Sequence, residues 1–186
     1  MRLLTFLTIV MTLHTIASDG PLTTVSSVDL KRYMGKWYEI ARYPNRFQRK
    51  CTGDVTANYT LRPDGRVEVL NSCQENDGRI NSAKGAAKVA NAQTNSKLKV
   101  TFFWPFYGSY WIIDLAPDYS YAVVGEPKRD YLWILSRSPR MDDSLYQQIL
   151  ARIQAAGYDP AKLVTTPQST QKRIARRADS TPVTCQ

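Results

Sequence analysis

Between Trp37 and Arg137 the chain alternates apolar and polar residues with a period of two, in short runs that each stop at a turn signal. Val55, Ala57, Tyr59 and Leu61 alternate with Thr56, Asn58 and Thr60, and Arg62-Pro63-Asp64-Gly65 then turns the chain. Val67 and Val69 follow, then Ala83 to Val89, Leu98 to Phe102, Tyr110 with Ile112, Tyr119 to Val123, and Tyr131 to Arg137. The breaks fall at Asn76-Asp77-Gly78, Asn91 to Ser96, Trp104-Pro105-Phe106, Ala116-Pro117-Asp118 and Gly125-Glu126-Pro127. With the run that opens at Trp37, these make eight strands joined by short loops, which predicts an all-β, up-and-down antiparallel barrel. Beyond Arg137 the period changes. Leu145, Ile149, Ile153 and Ala156 share one face of a helix that starts near Asp142 and ends at Gly157, and the spacing predicts a single C-terminal helix packed outside the barrel.

A barrel of this size either fills its interior with side chains or holds one small ligand there. The inward parity contains small residues, Ala57 and Ala87, and aromatic ones, Tyr59, Phe102, Tyr110, Tyr121 and Trp133. With Val69, Ile112 and Val123 these are the expected lining of a pocket, although small and large residues alternate in filled barrels as well. Alternating strand directions place Trp37 and Arg137 together at the bottom, where a guanidinium can close over an indole face. They place Phe47, Trp104 and Phe106 at the top, as an aromatic mouth beside Arg46, Arg49, Lys50, Lys128 and Arg129. Aromatic rings with cations suit an amphiphile with an anionic head, or a membrane surface. Glu39 shares the parity of Trp37; buried near the bottom, it would need Arg137 as partner or would be neutral.

The first 17 residues read as an export signal: Arg2, an apolar stretch, then small Thr15 and Ala17 before a cleavage site. The stretch is short of the roughly 20 residues of a membrane span. No cysteine follows it to carry a lipid. The expected organisation is residues 1–17 signal, 18–167 barrel domain, and 168–186 a basic, disordered tail. Cleavage removes Arg2, taking the net charge from +9 to +8. It also removes His14, the single histidine, which excludes Ser-His-Asp and Cys-His catalysis and His-ligated zinc or haem. No catalytic residue, metal or cofactor is expected. Lys172, Arg173, Arg176 and Arg177 give the tail either attraction to anionic membranes or mere solubility. Nucleic acid is not an expected partner of an exported chain.

An oxidising compartment favours a disulfide, and Cys51, Cys73 and Cys185 allow three pairings. Cys51 opens the strand that descends to the Arg62–Gly65 turn and Cys73 closes the strand that climbs back, so the two lie near each other at one hairpin mouth. Strand direction thus favours Cys51–Cys73, with Cys185 a free thiol or an intermolecular link.

Three stretches carry a resemblance. Gly35-Lys36-Trp37-Tyr38-Glu39-Ile40-Ala41-Arg42 resembles the Gly-x-Trp motif of lipocalins, Asp118 to Gly125 their second motif, and Leu132-Trp133-Ile134-Leu135-Ser136-Arg137 their third. Phe102 to Gly108 and Arg129 to Arg137 resemble the branch that holds the bacterial lipocalins and apolipoprotein D. The match covers about residues 28–167. The resemblance implies a carrier of small hydrophobic ligands, fatty acids or lysophospholipids above all, serving membrane maintenance under stress, and it allows a homodimer. It implies a periplasmic or outer-membrane-associated location if the source is bacterial, otherwise secretion. It raises the cavity above the filled core. It also keeps a Cys51–Cys185 bridge open, since apolipoprotein D ties its C-terminal segment at that position. Two alternatives within the family are a pigment or retinoid carrier and an enzyme that isomerises lipids with Cys73 as a cavity thiolate.

Overall fold

The computed structural model describes residues 20–169; the export signal, the basic residues of the tail and Cys185 lie outside them. Eight strands follow one another as an antiparallel meander: β1 (Gly35–Arg42), β2 (Cys51–Leu61), β3 (Val67–Glu75), β4 (Ile80–Val89), β5 (Lys97–Phe103), β6 (Phe106–Leu115), β7 (Tyr121–Gly125) and β8 (Leu132–Ser136). β1 pairs with both β2 and β8, which closes the barrel. A four-residue helix α1 (Leu30–Tyr33) precedes β1, and α2 (Asp143–Ala155) follows β8. The alternation did not reveal a ninth, two-residue strand, β9 (Val164–Thr165), which pairs with Ala41 and Arg42 of β1.

The apolar residues form two bodies. One fills the barrel and includes Trp37, Tyr59, Val67, Leu98, Ile112 and Leu135. The other lies between the outer wall and α2, and includes Ala41, Ile134, Ile149, Ile153 and Tyr158. Tyr121 and Val123 belong to the second body, not to the interior; the inward residues of β7 are Ala122 and Val124. The parity expected for them fails for two reasons. β7 is buried along its whole length on both faces, so no polar residue marks an outer side. Tyr119 sits at φ 64°, and that left-handed residue breaks the alternation just before the strand begins. The Tyr121 hydroxyl instead meets Asp114 at 3.3 Å and Arg152 of α2 at 3.0 Å, which fastens the helix to the wall.

α1 closes the bottom. Its N-cap Asp29 accepts from the Lys31 and Arg32 amides. Trp37 is fully buried and its Nε1 donates to the Tyr33 carbonyl at 2.9 Å. The Arg137 guanidinium covers the indole at 3.7 Å from the ring centroid and donates to the carbonyls of Lys36 and Arg32. The stacked cation and its two hydrogen bonds hold β8, β1 and α1 to one another.

The closure is incomplete at the top. β1 and β2 pair only between Gly35↔Tyr59 and Tyr38↔Thr56. A register shift between Glu39 and Ala41 then turns β1 away. The segment after β9 fills the gap: the Asp54 amide donates to the Pro167 carbonyl, and the Gln168 amide donates to the carbonyls of Glu39 and Val55. Gln168, assigned to the tail for want of apolar neighbours in sequence, is 2 % exposed and bridges the seam.

Cys51 and Cys73 are joined, with Cα atoms 5.6 Å apart. The bridge rules out Cys51–Cys185 pairing within this structure and removes Cys73 as a thiolate. By the chain-entropy relation, the loop of this bridge stabilises by roughly 3 kcal/mol. Replacing both cysteines with alanine should lower the unfolding free energy by about that amount in a urea titration. An unchanged midpoint would mean that the seam and bottom plug alone hold the β2–β3 hairpin in register.

Candidate functional site

The inner face of the barrel changes character with height. At the bottom three phenols meet: Tyr110 Oη lies 2.8 Å from Tyr33 Oη and 3.0 Å from Tyr59 Oη. Burial is the largest cause that pushes all three upward, Tyr59 to about 12, so the floor is neutral at physiological pH. Ala57, Tyr59, Val69, Ala87 and Ile112 are buried in this inner body, with Tyr110 and Trp133 partly buried against it. Ala87 therefore lies in the filled lower part.

Toward the top the inward residues become smaller and more accessible. Ala83 stands opposite Asn71, which stands opposite Ala57, so all three share the inner face. Ala83 is exposed although it faces inward, so the barrel is open above it. The Phe102 ring packs over Gly85, where a Cβ would come within 2.8 Å of it, and remains 38 % exposed. Asn71 Oδ1 is buried and makes no hydrogen bond among the described residues. An acceptor left unpaired beside alanines costs free energy until something donates to it.

Glu39 lies inward as its parity predicts, but its partners are not at the bottom. Its carboxylate accepts from Gln48 Nε2 at 2.6 Å and from Thr166 Oγ1 at 2.5 Å, with Arg42 Nε at 3.6 Å; Arg137 is not among them. Gln48 Oε1 in turn accepts from Trp133 Nε1 at 3.1 Å and Asn45 Nδ2 at 2.7 Å. A 3-10 turn over Arg46–Gln48, capped by Asn45, thus dips into the mouth and ties β1, β8 and the seam together. Above it Phe47 packs on Tyr131 at 5.9 Å, and Tyr131 stacks on Trp133 at 5.8 Å with a 5° interplanar angle, so aromatic rings descend from rim to interior. Phe47, Trp104 and Phe106 are 67 %, 82 % and 78 % exposed. At Phe47 a groove of about 380 Å³ is lined also by Arg46, Arg49, Lys50, Cys51, Glu75 and Asn81. Among the described residues no group of three His, Cys, Asp or Glu side chains comes together as a metal site.

Of the residues that the pattern assigns to the lining, Tyr121 and Val123 lie in the outer body, and Tyr59, Val69, Ala87, Tyr110 and Ile112 belong to the packed inner body. Alternation missed Tyr33, Gln48, Asn71, Thr166 and Gln168. Gln48 and the Thr166–Gln168 segment lie outside the strands, where a period of two says nothing. Asn71 does have the inward parity of Val67 and Val69, and its polarity hid it.

A lipocalin-like domain model matches residues 28–168. Temperature-induced lipocalin-1 of Arabidopsis thaliana is 42 % identical over 156 residues, covering 80 % of this chain and 83 % of that protein. Outer membrane lipoprotein Blc of Escherichia coli K12 is 45 % identical over 148 residues, covering 79 % and 83 %. Apolipoprotein D of Mus musculus is 37 % identical over 152 residues, covering 76 % and 77 %.

Burial raises the pKa of Glu39 above the ordinary glutamate value, against the opposing pull of Thr166, Gln48 and Arg42. A carboxyl with a higher value in the folded than in the unfolded chain holds its proton more tightly when folded. Its stabilising contribution is complete below the ordinary glutamate value and is lost as pH climbs through the folded one. Urea melts from about pH 4 to pH 7 should therefore show a falling limb of stability, from an ordinary glutamate's titration upward. Glu39→Gln should flatten that limb; a limb of unchanged slope in the variant would place its origin elsewhere.

Proposed function

The chain belongs to the lipocalin family, and from that we propose that it carries a single-chain amphiphile, a fatty acid or a lysophospholipid, taken in through the aromatic mouth. The observation that carries this reading is the inner face above the phenol floor. Ala83 and Ala57 are small there, Phe102, packed over Gly85, and Trp133 supply flat apolar walls, and Asn71 Oδ1 waits for a donor. An acyl chain buried against such walls gains about 0.8 kcal/mol per methylene. A ligand hydroxyl, or a protonated carboxyl, donates to Asn71. Rim cations Arg46, Arg49 and Lys50 lie where an anionic head would emerge. The ligand-binding set is then Ala57, Asn71, Ala83, Phe102 and Trp133, with Tyr59, Val69, Ala87, Tyr110 and Ile112 forming the floor. Carriage between membranes, in the periplasm or outside the cell, is the role that suits an exported protein of this kind. The disulfide leaves the alternative of a Cys73-dependent isomerase without its nucleophile.

Native mass spectrometry of the protein as purified should show one co-purified lipid per chain. Ala83→Trp should then weaken binding of lysophosphatidylcholine and of oleate more than about tenfold, because an indole displaces two or three methylenes of contact. Its stability should change by less than about 1 kcal/mol, since Ala83 is exposed. Unaltered affinity in that variant would reject the upper interior as the site.

A further inference from the structure

The second helix covers the outer wall over β1, β7 and β8 and reaches β6, where Trp111 and Ile113 pack against the same body and Asp114 pairs with Arg152; β4, β5 and the exposed Phe106–Gly108 end of β6 lie outside that body. On the outer face of β4 and β5 stand four lysines. Lys84 and Lys88 project from β4, and Lys97 and Lys99 from β5, since their neighbours Ala87, Leu98 and Val100 are the inward residues. Among the described residues none of the four makes an ion pair with a carboxylate. Lys88 stands directly opposite Lys99 across the two strands. Like charges in that position destabilise a sheet; Lys99 Nζ donates to Ser109 Oγ at 3.1 Å, a neutral partner that leaves the charge uncompensated. The acidic residue nearest in the ladder, Glu68 of β3, stands opposite Ala86 and makes no ion pair among the described residues.

The lysines are interleaved with aromatic rings. Lys88 Nζ lies 4.8 Å from the Tyr107 ring centroid, and Lys97 Nζ 4.1 Å from that of Trp111. The outward residues of β5 read Lys97, Lys99, Thr101, Phe103, and the row ends in the tip formed by Phe103, Trp104 and Phe106, which are 81 %, 82 % and 78 % exposed. From Lys97 to Phe103 the row spans about 20 Å. With the tip alone at a membrane surface and the barrel upright, Lys97 would stand about two Debye lengths away at 0.1 M salt, too far to contribute. A row of that length meets a charged plane only if the barrel lies over on this wall.

We infer that the β4–β5 wall, with the Phe106–Gly108 end of β6, is a docking face for anionic phospholipid bilayers, on which the barrel lies tilted with the Phe103–Phe106 tip sunk at the headgroup level. Charge complementarity selects the lipid class, and the aromatic tip sets the depth. In that pose the mouth opens along the membrane surface. This inference rests on the carrier reading only for its purpose; the docking itself needs no bound ligand.

The test uses the full chain and sedimentation with large vesicles of phosphatidylcholine alone or with one quarter phosphatidylglycerol, at 0.1 M salt. Binding should require phosphatidylglycerol and weaken as salt is raised. Lys97→Gln alone should weaken it about fivefold, and the four wall lysines changed together to glutamine should weaken it at least tenfold. The fourfold variant should fold normally, since its changes relieve repulsion, and should keep its affinity for lysophosphatidylcholine in the absence of vesicles. That titration reads the carrier function separately. Three results would overturn the inference. In the first, Lys97→Gln leaves binding unchanged while Trp104→Ser abolishes it, which is upright docking by the tip. In the second, neutralising Lys172, Arg173, Arg176 and Arg177 abolishes it while the wall variant binds as before. In the third, the wall binds heparin and ignores phosphatidylglycerol, which makes it a site for soluble polyanions.

Discussion

The barrel depends on β1 finding a partner for each of its edges. A sheet that fails to close exposes a row of unpaired amides and carbonyls, and eight strands make a barrel only if the first and last meet. β8 supplies one edge along most of β1, and β2 the other for only part of its length. The remaining opening is sealed by chain from far along the sequence, β9 and the Thr166–Gln168 segment. Gln168 bridges the Glu39 and Val55 carbonyls across the gap, a side-chain amide standing in for a missing strand. The helix before this segment therefore does more than cover the wall: it returns the chain to the seam.

The seam is also where barrel closure and the mouth share a group. The Glu39 carboxylate takes a proton donor from the sealing segment and another from the Arg46–Gln48 turn, and that turn holds the Trp133 indole. A buried acid is costly unless its lone pairs are satisfied, so the donors are constrained as much as the acid is. The opposite end is built differently. There a cation on an indole, α1 and three neutral phenols make a floor without net acid. The interior is thus filled and neutral at the bottom, and polar and adjustable at the top, which is the asymmetry that a one-ended container needs.

The outer surface divides along the same lines. α2 and the N-terminal segment bury the wall beside β1, where Asp114, Arg152 and Tyr121 bind helix to barrel. The β4–β5 wall carries lysines that oppose one another, and exposed rings stand beside it at Tyr107 and at the Phe103–Phe106 tip. An arrangement that weakens the sheet and exposes rings is explained by a use outside the fold, and the mouth lies at the end of that same wall.

Much of this protein is legible in its sequence because a period of two is a direct record of geometry. Alternation with turn signals determined eight strands, their directions, the ends at which Trp37–Arg137 and Phe47–Trp104 lie, and the Cys51–Cys73 bridge, because each follows from counting along a strand. The record fails where geometry ceases to alternate. β7 is apolar on both faces, so the sides of Tyr121 and Val123 were decided by α2 packing on the outer one. The register shift after Glu39 shows no signature in residue type, yet it opens the seam. Gln48, Thr166 and Gln168 are polar residues in irregular chain, and only contacts more than a hundred residues apart in sequence decide that two of them are buried and bonded to β1. Strands were determined locally by the period of the pleat; closure and the mouth were decided by tertiary structure, because a buried polar group is specified by its partners, and partners distant in sequence leave no periodic mark.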